Sequence, residues 1–115
     1  MKQYFTHGAS RTDFRTLAEW LKAHEPFKTA NGNFHGGIWE DYPGRLDEDP
    51  IYRGEYMRRG AAGQIDYVVY SYQTPIAWHD VDWGWIDPGH GYSQTTKAKH
   101  YGPTTTALYV LMGEK

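Results

Sequence analysis

The chain has 115 residues, a length that fits one domain with one modest core; it carries a formal net charge of −2 and contains no cysteine. That charge argues against a globally basic nucleic-acid binder while leaving room for a local basic patch, and the missing cysteines exclude disulfides, thiolate metal sites and cysteine nucleophiles. Apolar residues make up 39% of the chain, below the ~45–50% of an average domain, but 10 Tyr, 5 Trp and 4 Phe bring large rings that bury well and argue for a folded protein.

Residues 10 to 24, "SRTDFRTLAEWLKAH", predict a helix, because Phe14, Leu17, Ala18 and Leu21 recur at i, i+3, i+4 and i+7. Ser10 or Thr12 can cap its start, Asp13 suits the first turn, Lys22 and His24 suit the last, and Pro26 stops it. Trp20 lies at the flank of the apolar stripe. Within "FKTANGNFHGGIW" (27–39), Asn31-Gly32 favours a type I′ turn and predicts a hairpin, with Gly36-Gly37 marking either a weak second arm or a mobile loop. From 40 to 60, two prolines and the acids Glu40, Asp41, Asp47, Glu48, Asp49 and Glu55 predict an extended surface loop, followed by a flexible Gly60-Ala61-Ala62-Gly63.

Residues 65 to 72, "IDYVVYSY", read as a strand with Tyr67, Val69 and Ser71 on one face and Val68, Tyr70 and Tyr72 on the other. Bulky residues on both faces predict a central or doubly covered strand. Thr74-Pro75 should interrupt pairing, "IAWHDV" then supplies a partner strand with Ile76 and Trp78 on one face, and Asp82 and Gly84 turn the chain into "WGWID". The three make an antiparallel meander. Further on, Gly102-Pro103 reads as a break, and "TTTALYVLM" satisfies both a strand and a short helix packed through Leu108, Leu111 and Met112; the helix is preferred.

The stretches "DYVVYSYQTPIAW" and "YSQTTKAKH" resemble a family of small uncharacterised actinobacteriophage proteins. The shared pattern is Tyr70-Ser71-Tyr72, then Thr74 to Trp78, then Tyr92, Ser93, Thr95 and Thr96 followed by a histidine, here His100. The resemblance covers residues 66 to 100; it implies a viral origin and residence in the host cytoplasm, and carries no activity with it.

His79, Asp80 and Asp82, with His90 eight residues beyond, form the most chemically suggestive group, since imidazole and carboxylate ligate zinc, manganese or iron. On a strand His79 and Asp80 point to opposite faces, so a chelate needs the turn to fold His90 or Asp87 back; otherwise these residues populate an exposed hairpin tip. Tyr92, Ser93, Thr95 and Thr96 with Lys97 and Lys99 could bind phosphate at a helix N-terminus or simply cap and bond locally. Trp78, Trp83 and Trp85, with Tyr70 and Tyr72, could stack bases, but there is no Lys or Arg from 60 to 96 to line a basic groove. Core packing is the expectation for most of these rings, and a partly exposed patch of them could anchor a protein partner. No nucleophile elbow or paired-carboxylate motif stands out.

These readings converge on an α+β domain, one N-terminal helix packed on a small, mostly antiparallel sheet with a short C-terminal helix. Its expected role is that of a small non-enzymatic phage accessory protein without cofactor, away from membranes, that binds a host or phage protein and can form a homo-oligomer. Nucleic-acid binding through Arg58, Arg59, Lys97 and Lys99 is the alternative, and a metal-dependent enzyme built on His79 the third reading.

Overall fold

The computed structural model describes residues 2–3, 11–29, 32–48, 50–88 and 102–113. Helix α1 (Arg11–Lys22) follows the predicted periodicity and buries Leu17, Ala18 and Leu21. Each fully buried leucine contributes roughly 1.5–3 kcal/mol of transfer free energy. Trp20 flanks that face, partly buried and stacked on Phe27 with ring centroids 5.9 Å apart. The helix ends where the His24 N–H donates to Leu21 O (3.1 Å) and the Glu25 N–H to Trp20 O (2.8 Å). This is the paired bonding of a Schellman close, whose left-handed position glycine normally fills. Here His24 fills it, at φ 53°.

Among the described residues the sheet has six strands in chain order: β1 (Lys2–Gln3), β2 (Phe27–Lys28), β3 (Phe34–Gly37), β4 (Ile65–Ser71), β5 (Thr74–Asp80) and β6 (Gly84–Ile86). β1 runs parallel to β2, and every later pair is antiparallel. With three helices among the described residues, the fold is α+β, as the sequence predicts. β2 and β3 form the expected hairpin, with the Gly32 N–H donating to Thr29 O (2.9 Å); Asn31, and with it the expected Asn31-Gly32 turn, lies outside the described residues. Gly36 and Gly37 pair with Val69 and Val68 and belong to the sheet. A Cβ on Gly36 would sit 2.4 Å from the Phe27 ring, so that close approach explains the glycine.

Residues 40 to 60 depart most from expectation. Instead of one extended loop, a 3-10 turn (Gly44–Glu48) leads into helix α2 (Pro50–Ala61). Pro50 stands at the first helical position, where its missing N–H costs nothing. The buried stripe is made of Tyr52, Tyr56, Met57 and Gly60, with Tyr56 and Gly60 fully enclosed. Gly60 to Gly63 is no flexible hinge. The Gly63 N–H donates to Gly60 O (3.0 Å) and the Gln64 N–H to Arg59 O (2.9 Å), a second Schellman close with Gly63 at φ 76°.

β4 is covered on both faces, as its sequence predicts. Tyr67 and Val69 join α1, Phe27, Phe34 and the α3 residues Ala107 and Leu108; Val68 and Tyr70 join Leu46, Tyr56 and Trp78 beneath α2. Two helices therefore cover one face and one helix the other. The β4–β5–β6 meander forms, but Pro75 lies within β5, opposite Tyr70. Ile76 is the extra residue of a bulge there, which turns it into the α1/α3 core while Trp78 enters the α2 core. The two do not share a face. Helix α3 (Gly102–Gly113) begins at Gly102-Pro103, so that pair opens a helix. Thr104, Ala107 and Leu108 are buried and Leu111 packs at the core margin, whereas Met112 is exposed. Among the described residues no helix is long and apolar enough to cross a membrane.

Candidate functional site

The opening half of the Asp-rich turn is a staple. Arg59, on α2, donates from Nε to Asp80 Oδ2 and from Nη2 to Asp80 Oδ1 (2.8 Å each), and Nη2 also reaches Asp82 Oδ2 at 2.6 Å. The N–H groups of Asp82 and Trp83 donate to Asp80 Oδ1 as well. The Arg59 hydrogen bonds, helped by these backbone donors, hold the fully buried Asp80 carboxyl down at about 2 against the opposing effect of burial. Trp83 lies under the guanidinium, 4.3 Å from ring centroid to Cζ. Asp80, Asp82 and Trp83 thus tie α2 to the β5–β6 turn.

His79 faces the other side of the sheet and meets a different carboxylate. Its Nδ1 lies 2.7 Å from Asp66 Oδ1, and His24 Nδ1 lies 3.5 Å from Asp66 Oδ2. The two imidazole rings stand 4.7 Å apart, His24 stacks on Tyr67 at 5.3 Å, and Trp85 presents its edge to both histidines. Burial, with the neighbouring His79 adding to it and Asp66 opposing, lowers the pKa of His24 and favours its neutral form. Asp66 reaches this face because the β4–β5 register slips between Ile65 and Tyr67, leaving Asp66 as the extra residue of a bulge.

At the far end of β4 lies an open cleft of about 690 Å³ lined by His35, Glu40, Tyr42, Arg45, Tyr72 and Thr74 among others. Its far wall depends on Gly44 at φ 56°, where a Cβ would strike Thr74 and Gln73 at 2.6–2.9 Å; the Arg45 N–H bonds Thr74 Oγ1 at 3.0 Å. Its near wall is held by Tyr70, whose hydroxyl donates to Ile38 O (2.8 Å), accepts from the Glu40 N–H (2.9 Å) and lies 3.2 Å from the Tyr56 hydroxyl. Burial raises the Tyr56 hydroxyl to about 12 and raises that of Tyr70 further in the same direction. His35 stacks on Tyr70 at 4.8 Å. Tyr42 and Tyr72 remain 53% and 47% exposed. Tyr72 sits at φ 58° in the two-residue turn between the paired Ser71 and Thr74, a position that favours glycine.

The residues singled out from the sequence scatter. Trp78 is fully buried among Tyr52 and Tyr56, and so offers no stacking platform. Trp83 is exposed but carries Arg59, and Trp85 walls the histidine pair and a smaller apolar groove of about 470 Å³ formed with Leu108, Tyr109 and Met112. Asp80 and Asp82 do not join His79, while His90, Tyr92, Ser93, Thr95, Thr96, Lys97, Lys99 and His100 lie outside the described residues. Arg58 is exposed, whereas Arg59 is engaged by two carboxylates. His24, Asp66, Tyr42 and Arg45 carried no signal as site residues: the first looked like a helix terminus, the second like a strand's polar alternate, and the last two like loop.

The chain belongs to a family of unknown function, DUF8033, whose profile matches residues 22–106. That span contains His24, Tyr42, Asp66, Tyr72 and His79. No curated protein and no solved structure matches the chain.

Proposed function

We propose that the protein is a non-enzymatic bacteriophage accessory protein that binds a host or viral protein through the cleft between Tyr42 and Tyr72. The observation that carries this reading is the pair of half-exposed tyrosines facing an open cleft beside Arg45 and Glu40. Tyrosine and arginine are the residues in which interface binding energy concentrates, because each presents a large rigid or planar surface with a polar end. The backbone supports it too. A tyrosine held in the left-handed region costs about 1–2 kcal/mol relative to glycine, and such positions cluster at functional surfaces. The phage assignment rests on the Tyr70-Ser71-Tyr72 and Thr74–Trp78 pattern.

The test is capture from a nuclease-treated bacterial host lysate with the wild-type protein and with a Tyr42→Ala, Arg45→Glu variant of unchanged circular dichroism. A protein retained by the wild type and lost by the variant supports the cleft. Equal capture by both, or loss of all capture on nuclease treatment, contradicts it; the latter would favour nucleic acid as the ligand.

A further inference from the structure

We propose that His24, Asp66 and His79 form a binding site for one divalent transition-metal ion of borderline softness, with zinc the best fit. The site lies at the opposite end of β4 from the tyrosine cleft, about 20 Å away along the strand, and stands independently of it.

Three observations carry the inference. The first is spacing: one ligand atom from each residue lies within 4.8 Å of the others, with separations to the carboxylate of 2.7 and 3.5 Å. An ion bonded to nitrogen and oxygen at about 2.0–2.2 Å in tetrahedral geometry holds adjacent ligand atoms roughly 3.3–3.6 Å apart. The 3.5 Å separation already falls in that range, and the 2.7 Å one is a direct hydrogen bond that an ion would replace. The second is that two separate backbone irregularities aim ligands at one point. His24 occupies the glycine position of the α1 close at φ 53°, and Asp66 is the extra residue of a bulge. Without the bulge, strand alternation would turn the Asp66 carboxylate away from the Tyr67 and His79 face. The left-handed backbone at His24 is unfavourable for a non-glycine residue, and both irregularities serve the same cluster. The third is the surroundings: Tyr67 and Trp85 wall one side with aromatic surface, while the Asp66 side remains 40% exposed and gives an ion its way in.

Two imidazoles and a carboxylate select the ion class. Calcium and magnesium seek all-oxygen shells, whereas zinc and its first-row neighbours accept mixed nitrogen and oxygen ligands. Three protein ligands leave one tetrahedral position for water or an external donor.

The experiment uses untagged, chelator-treated protein titrated calorimetrically with zinc chloride, with the visible absorption of added cobalt as a second readout. The expected result is one ion per chain and a cobalt spectrum of tetrahedral intensity. His79→Ala and Asp66→Asn should each weaken zinc binding by at least ~10-fold, the range lost when even a supporting group is removed. His24→Gly should weaken it equally while melting no lower than wild type, since glycine relieves the backbone at that position. Asp66 is exposed enough for its amide to leave the fold intact, so the variants separate ligation from folding. Absence of saturable binding, or unchanged affinity in folded Asp66→Asn and His24→Gly, would overturn the proposal.

Discussion

The guanidinium of Arg59 and the carboxylate of Asp80 meet through two parallel hydrogen bonds of 2.8 Å. The fork geometry is the strongest form of this pair, and it joins α2 to the sheet across a chain separation of 21 residues. Because Asp80 is fully buried, Asp80→Asn removes the charge and replaces one of two acceptor oxygens with an NH2 donor facing the guanidinium, which keeps only Asp82 as a charged partner. Asp80→Asn is expected to lower the melting temperature by roughly 10 °C, read by circular dichroism. A variant that melts with wild type would mean that the staple is dispensable.

The same pair sets the acid limit of stability. The Asp80 carboxyl lies at about 2 in the folded protein against 3.8 ordinarily. The unfolded chain therefore takes up the proton more readily, so this contribution is complete above the ordinary value and is lost as pH falls from 3.8 towards 2. Urea midpoints of the wild type should drop between about pH 5 and pH 2.5 more steeply than those of Asp80→Asn. Parallel slopes for the two proteins would place the acid sensitivity elsewhere.

Two glycines in one helix should respond in opposite directions to the same substitution. At Gly54 a Cβ meets nothing within 4 Å, so Gly54→Ala is expected to stabilise α2 by about 0.5–1 kcal/mol. At Gly60 a Cβ would fall 1.9 Å from Trp39 Nε1, the atom that donates to Tyr56 O. Gly60→Ala is expected to destabilise by roughly 1–3 kcal/mol through displacement of the indole. Equilibrium urea unfolding of the two variants checks both signs, and equal shifts would show that Trp39 does not pack as described.

Periodicity made much of this fold legible. Leu17, Ala18 and Leu21 marked α1 by their spacing, and bulky residues on both faces of 65–72 marked the central strand. What misled was chemistry whose meaning depends on position. Pro50 and the acids before it read as loop, although a proline at the first helical residue favours a helix. Pro75 read as an interruption because a bulge that seats it within a strand leaves no trace in composition. The candidate sites were less legible still. The bulge at Asp66 and the left-handed backbone at His24 and Tyr72 leave no mark in periodicity or composition, yet they help bring His24, Asp66 and His79 together and place Tyr72 at the cleft. The sequence grouped His79 with Asp80 by adjacency, while the sheet separates them by its pleat.

His24 and Tyr72 are the two non-glycine residues with positive φ among the described residues, and each stands in a candidate site. Under the proposed function, Tyr72 is kept there for what it binds. The most direct measurement is a thermal melt and a partner-capture assay on the same preparation of Tyr72→Gly. The prediction is a melting temperature at or above that of wild type, because up to about 1–2 kcal/mol of backbone strain is relieved, together with loss of the captured protein. A variant that melts lower and still captures the partner would contradict the claim, making Tyr72 a structural residue and the cleft incidental.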